Sequence, residues 1–230
     1  MIRENLDYVN KTIDDACIRS SRDRKDAVLI AVSKTKPAEE VREAYDYGIR
    51  DFGENKVKEL LEKREILPDD IRWHMIGHLQ TNKVRSLIGK TYLIHSIDSI
   101  RLSDVIENES MKAGIVTNGL LEVNVGMEPT KHGFLPDIDT SVFTRFAQYR
   151  FLKIRGLMTV APDVEDPEMN REIFRKLRAL AVDIAAKNID NISMDFLSMG
   201  MTGDYPVAIE EGASFVRVGT GIFGKRERME

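Results

Sequence analysis

Apolar and polar positions alternate in blocks along the chain, and the period of each block predicts its element. Leu6, Val9, Ile13, Ala16 and Cys17 recur at helical spacing, which predicts an opening helix over 5–21 with one packed face. The block at 28–34 begins with five apolar residues in succession, rich in β-branched side chains, the pattern of a strand buried on both faces. The two periods then alternate. Strands are predicted over 28–34, 51–55, 72–77, 92–97, 120–125, 154–160, 193–199 and 215–218. Helices are predicted over 38–47, 57–64, 81–88, 99–113, 141–149, 167–186 and 205–211. Glu39 and Glu40 favour the first turn of the 38–47 helix and Gly48 stops it, while Pro167 opens the longest helix where its missing N–H is harmless.

Eight predicted strands separated by helical segments, with no Gly/Ser linker and no low-complexity stretch, predict an α/β fold: one (β/α)8 barrel of the TIM type, with an extra N-terminal helix. Residues 1–230 are expected to form a single domain; a doubly wound open sheet is the alternative, but it leaves the strand count unexplained. Such barrels build their sites at the C-terminal ends of the strands, and unusual polar residues fall there: Lys34, Asn55, His78, Asn124, Ser198 and Arg217.

Composition narrows the function classes. A formal net charge of -4 with mixed signs along the 230 residues argues against a general nucleic-acid or membrane-surface binder. No apolar run approaches the ~20 residues of a membrane span. The first residues, Met1-Ile2-Arg3-Glu4-Asn5, lack the apolar core of a signal peptide. Cys17 is the sole cysteine, so a reducing, cytoplasmic location is expected and Cys17 itself is expected to be structural.

The candidate chemistry starts at Lys34. A lysine ending a buried strand is partly desolvated, which disfavours its ammonium form, and the charge of Lys36 is expected to push the same way. A neutral amine attacks aldehydes; a lysine whose stem packs while its head stays wet gives the same pattern without chemistry. Gly219, Gly221 and Gly224 satisfy G-x-G-x-x-G, but only six residues follow Gly224, too few for the helix, strand and acid of a dinucleotide site. Glycines after the last strand, with the Thr220 hydroxyl, still suit an anion such as phosphate, and Ser198-Met199-Gly200-Met201-Thr202-Gly203-Asp204 faces the same corner. Arg217 shares the parity of Phe215 and Gly219, so it points inward and needs a partner: a carboxylate such as Asp195, or an acceptor nitrogen of a ligand. His74 and His78 stand on a strand and its exit and share no face; with one cysteine and no H-E-x-x-H, no metal site is expected. In the polar loop 127–133, Lys131 and His132 offer charge that a departing phosphate could meet, or simply solvate the loop.

The segments AVSKTKP (31–37), FGENKVKE (52–59), WHMIGHLQTNK (73–83), HSIDS (95–99), LEVNVG (121–126), GLMTV (156–160) and LSMGMTGDY through GTGIFG (197–224) together resemble the pyridoxal phosphate homeostasis protein family. Its members are single-domain relatives of the alanine racemase barrel, and the resemblance covers nearly the whole chain. It implies that Lys34 forms the internal aldimine, a Schiff base, with pyridoxal 5'-phosphate. It further implies that Ser198 and the backbone of Met199, with Gly219 and Thr220, hold the phosphate. Arg217 is placed by it beside the pyridine nitrogen, and Asn55 on the wall of the site. Thr202-Gly203 stands where a serine and a polar residue are frequent in the family.

Two functions follow from the resemblance. One is binding, buffering and delivery of the cofactor to apo enzymes that depend on it, by a monomeric, non-catalytic protein. The other is an enzyme acting on amino acids, such as a racemase. An arginine at the pyridine nitrogen disfavours its protonation and weakens the cofactor as an electron sink. A two-base racemase also needs a second acid/base group, supplied in the resembling racemases by an added domain for which this sequence has no counterpart. The carrier reading is the expectation.

Overall fold

The apolar run at the head of the chain's first strand forms β1 (Val28–Val32), and everything else closes around it. In the computed structural model, which describes residues 1–224, β1 is followed by β2 (Asp51–Glu54), β3 (Arg72–Met75), β4 (Leu93–Ile97), β5 (Thr117–Glu122), β6 (Leu152–Met158), β7 (Ile192–Met201) and β8 (Phe215–Val218). Each strand pairs in parallel with the next, and β8 returns to β1 through Val28–Phe215 to Ala31–Val218, closing the barrel. The expected architecture is the observed one.

Helices cover the outside: α1 (Ile2–Arg19), α2 (Ala38–Tyr47), α3 (Val57–Ile66), α4 (Val84–Leu87), α5 (Ile100–Ala113), α6 (Thr140–Ala147), α7 (Arg171–Ala186), α8 (Tyr205–Glu210) and α9 (Thr220–Phe223). One apolar layer fills the space between sheet and helices, including Leu6, Val41, Leu60, Leu102, Phe146, Phe174 and Ile209. A smaller one fills the barrel interior: Ile30, Leu93, Leu120, Met158 and Phe215. Alternate residues of each strand serve the two layers, which is why the strands read as continuous apolar runs. Cys17 is buried in the outer layer, and burial raises its thiol above the usual range.

Several boundaries differ from expectation for local reasons. The first strand stops at Val32, because Thr35 takes φ +65° in a turn ahead of Pro37. The fifth begins and ends three residues early: Val123 N–H still donates to Met158 O of β6, but Asn124 N–H donates to Phe134 O, so from Asn124 the chain pairs with the following loop. The expected 81–88 helix is a 3₁₀ turn, Thr81–Lys83, leading into the single turn of α4. Another 3₁₀ turn, Pro167–Asn170, capped by Asp166, precedes α7. The seventh strand runs two residues past its expected end, to Met201. None of the described helices is long and apolar enough to cross a membrane.

Candidate functional site

Lys34 sits in the turn that leaves β1, held on both sides. Ser33 is fully buried; its hydroxyl donates to Glu54 Oε1 at 2.7 Å, and its carbonyl accepts from Lys63 Nζ at 2.7 Å. On the other side, Thr35 N–H donates to Glu59 Oε2 at 2.8 Å. Lys36 turns away: its Nζ donates to Phe223 O at 2.7 Å and pairs with Glu40 at 3.3 Å. Its charge is therefore shared with a carboxylate and is not the bare repulsive charge beside Lys34 that adjacency in sequence implied. The turn presents Lys34, half-buried, in the wall of a cavity of about 430 Å³, a size suited to a small cofactor.

The cavity opens at the C-terminal ends of the strands. Val32 and Lys34 line one side with Asn55 and Ile76; Met201, Thr202, Gly203, Gly219 and Thr220 line the β7–β8 side, and Arg217 forms part of the floor. Thr220 Oγ1 lies 3.2 Å from Thr202 Oγ1, which also accepts from Gly221 N–H at 3.4 Å. Gly200 has φ +88°, and a Cβ there would stand 2.5 Å from Ala208 Cβ, so only glycine lets the end of β7 lie against α8. Asp204 fixes the turn beyond: its carboxylate accepts from Met201 N–H at 2.7 Å and from Asn170 Nδ2 at 2.8 Å.

Of the residues singled out in the sequence, Lys34, Asn55, Arg217, Gly219 and Thr220 converge on this cavity, while Ser198 and Met199 do not line it. The longer β7 explains the difference. Its alternation sends Met199 into the helix-facing core and places Ser198, fully buried, beneath Arg217. The residues of this stretch that reach the cavity lie further on, at Met201 to Asp204. Nor does Arg217 pair with Asp195, which is engaged by Arg155 at 2.8 Å. Asn124 turns its own loop, bonding Glu128 through both ends of its amide. Lys131 pairs with Glu128, and its Nζ reaches Val160 O at 3.2 Å.

Beneath the cavity runs a buried polar chain that the sequence reading did not find. Arg217 Nη1 donates to Ser198 Oγ at 2.5 Å and Nη2 to Thr159 O at 2.8 Å. Ser198 Oγ lies 2.8 Å from His95 Nδ1, His95 Nε2 lies 2.9 Å from His74 Nδ1, and His74 Nε2 lies 3.0 Å from Asp51 Oδ1. Asp51 also accepts from Arg72 Nε at 2.8 Å. Asp51 is acceptor only, so His74 carries its proton on Nε2; each later group must then donate toward Asp51, from His95 Nε2 and from the Ser198 hydroxyl. Burial pushes His74 below, and His95 well below, the usual imidazole range, which keeps both neutral as this assignment requires. Burial raises the Asp51 carboxyl, but the bonds from Arg72 and His74 outweigh it and leave it below the usual range. Burial also pulls the Arg217 guanidinium down to about 10, with Asp204 and Glu122 opposing.

Comparison with known proteins identifies the fold and the family. The family model described as "Alanine racemase, N-terminal domain" matches residues 16–227. A pyridoxal phosphate homeostasis protein of Aquifex aeolicus is 46% identical over 225 residues, covering 97% of this chain and 98% of that protein. One from Escherichia coli is 35% identical over 98% of this chain and 97% of its own length. The solved structure of PipY from Synechococcus elongatus with PLP bound matches at TM-score 0.83 and 34% identity, over 97% of this chain and all of that one. An alanine racemase of Clostridium difficile, 14% identical with a TM-score of 0.75, shares the fold across 99% of this chain and 57% of its own. This chain, an alanine-racemase-type barrel from end to end of the match, belongs to the pyridoxal phosphate homeostasis protein family.

Proposed function

We propose that the protein binds pyridoxal 5'-phosphate in the cavity at the mouth of the barrel and serves in keeping the cell's supply of that cofactor. One observation carries the reading: a half-buried lysine, Lys34, shares a cavity of about 430 Å³ with the hydroxyls of Thr202 and Thr220 and with the buried guanidinium of Arg217. Lys34 Nζ is the nucleophile for the cofactor's aldehyde, which when bound supplies the electrophile. Thr202, Thr220 and the backbone from Gly219 would hold the phosphate by charge-assisted hydrogen bonds. Arg217, fixed from below by Ser198 and Thr159, would face the ring nitrogen and keep it unprotonated. Asn55 completes the wall. Ser198 and Met199 act here through position, Ser198 by holding Arg217.

The family's relatives carry the homeostasis name over their full length, and that favours binding and delivery over turnover. A cytoplasmic monomer passing cofactor to apo enzymes fits the lone buried Cys17 and a cavity open at the mouth. The test is borohydride reduction of protein incubated with the cofactor, followed by peptide mass mapping. The added mass is expected on the peptide containing Lys34 and absent in Lys34→Ala. An equal label in Lys34→Ala would sink the assignment. Amino-acid racemisation under saturating cofactor separates the two functions, and turnover there would make the protein an enzyme.

A further inference from the structure

The chain has four histidines, and two of them, His74 and His95, are fully buried in the polar chain. The other two meet at the barrel rim. His78 follows β3, His132 lies in the loop between β5 and α6, and their rings stack with centroids 4.2 Å apart and planes 19° apart. Asp98, directly after β4, lies against them, its Oδ2 3.0 Å from His78 Nδ1. One ligand atom from each of the three falls within 4.8 Å of the others. We propose that His78, Asp98 and His132 form a binding site for a divalent transition-metal ion, with zinc as the natural occupant.

The donor set suits that ion: two imidazoles and one carboxylate are the ligand types zinc takes, with solvent free to complete the shell. A tetrahedral ion with bonds of about 2.0–2.1 Å sets its ligand atoms roughly 3.3 Å apart. A bound ion would draw the three atoms in from their present spacing of within 4.8 Å, with the two stacked rings splaying to aim their lone pairs at one point.

The ligands are also held. Asp98 Oδ1 accepts from Ser99 Oγ at 3.0 Å, and Ser99 in turn caps α5 through Leu102 N–H, so the carboxylate is oriented by a neighbour tied to a helix. His132 does not hang on a free loop. Next to it, Gly133 takes φ +117° and a Cβ there would stand 2.8 Å from Glu122 O, so the position requires glycine, and Phe134 N–H donates to that same carbonyl at 2.8 Å. On its other side Lys131 is paired with Glu128. Glu122, at the end of β5, is near enough that its carboxyl, raised chiefly by burial, is raised further by Asp98 and opposed by His132. A bound ion would tie the β5–α6 loop to the exits of β3 and β4, beside Ile76 in the cavity wall. His78 and His132 are 54 positions apart, so spacing in the sequence hides the pair; beside His74, on a strand, His78 looked unsuited to a metal.

The experiment is a calorimetric zinc titration of tag-free, chelator-treated protein, run without pyridoxal phosphate so that its outcome is independent of the cofactor reading. Saturable 1:1 binding is expected, weakened about tenfold or more in each of His78→Ala, His132→Ala and Asp98→Asn. Cobalt, used as a spectroscopic stand-in, should give visible ligand-field bands that vanish in His132→Ala. Thermal melts of the metal-free variants check that each is folded. As the two remaining histidines are fully buried, imidazole-dependent binding must come from His78 and His132. Absence of saturable binding at millimolar zinc overturns the proposal, and so does an affinity that both histidine variants leave within threefold of wild type. Either result makes the cluster a surface ion pair with a stacked neighbour.

Discussion

Arg217 Nη1 and Ser198 Oγ stand 2.5 Å apart inside the barrel, and among the described residues the serine hydroxyl is the hydrogen-bonded link between that guanidinium and the two buried histidines. A hydroxyl that accepts from a cation and donates to a neutral imidazole is satisfied on both sides. Ser198→Ala should therefore cost about 1.5–3 kcal/mol in chemical denaturation, the range for losing a hydrogen bond to a charged group, and leave His95 Nδ1 without a donor. A loss below about 0.5 kcal/mol would mean that the chain is not coupled as the geometry has it.

The same chain makes stability depend on pH with a defined sign. His74 and His95 are held neutral in the folded protein, with pKa values lowered by burial, whereas in the unfolded chain they titrate near the ordinary imidazole value of 6.5. Below that pH the unfolded state binds more protons, so stability is present above about pH 6.5 and is lost as pH falls toward the folded values. Each histidine can contribute a slope of up to about 1.4 kcal/mol per pH unit. Urea midpoints between pH 7 and pH 5 measure it. A flat profile over that range would rule out the neutral, buried pair.

Cofactor recognition should depend on the phosphate corner. Pyridoxal, which lacks the phosphate, should bind much more weakly than pyridoxal 5'-phosphate. Thr202→Val and Thr220→Val each remove one hydroxyl from the cavity lining and should cost about ten- to hundred-fold in affinity for the phosphorylated form. Pyridoxal affinity should barely change in either variant. Fluorescence titration of both cofactor forms reads the difference, and equal losses for the two would place the phosphate elsewhere.

Much of this was legible in the sequence because it is periodic. Runs such as Val28–Val32 and Phe215–Val218 announce buried parallel strands, and Lys34, Arg217, Gly219 and Thr220 follow from where those strands end. What was not legible depends on register. Ser198 and Thr202 both carry hydroxyls, but which of them reaches the cavity is decided by two extra residues of β7 and the turn that Asp204 ties at Met201 N–H. His74 and His95 lie on neighbouring strands, 21 positions apart, and meet only because β3 and β4 pair with His74 opposite Leu93. An inward parity for each was the available signal.

Gly156 marks a close approach inside the sheet. It has φ +151°, lies where the register between β6 and β7 shifts, and a Cβ there would stand 1.9 Å from Phe196 O. Gly156→Ala must push a strand aside or break that pairing, an expected loss of about 2–5 kcal/mol from backbone strain and overpacking together. Gly203→Ala, with nothing within 4 Å of its built Cβ, is the control and should stay within about 1 kcal/mol of wild type. Similar stabilities for the two variants would contradict the register.

The ion pair under Lys34 offers the sharpest test of how the site is supported. Lys63 Nζ lies 2.6 Å from Glu54 Oε1, both side chains are buried, and Ser33 bonds to each of them one residue before Lys34. Glu54 Oε2 has no hydrogen-bond partner among the described residues, so Lys63 is the main compensation for a carboxylate out of water. Lys63→Met should cost about 3–5 kcal/mol at neutral pH, the range for stranding one partner of a buried pair. Glu54→Gln combined with Lys63→Met removes the stranded charge and should recover much of that loss. Burial already raises the Glu54 carboxyl above its usual range, with Lys63 opposing; removing Lys63 raises it further. A carboxyl raised in the folded state contributes stability that is full below the unfolded value of about 4.5 and is lost as pH rises through the folded value. The difference between Lys63→Met and wild type should therefore shrink steadily from pH 8 to pH 5, with the histidine contribution cancelling because both proteins carry it. A penalty that is constant across that range would show that Glu54 is not stranded, and that Ser33 and Lys34 are held by packing alone.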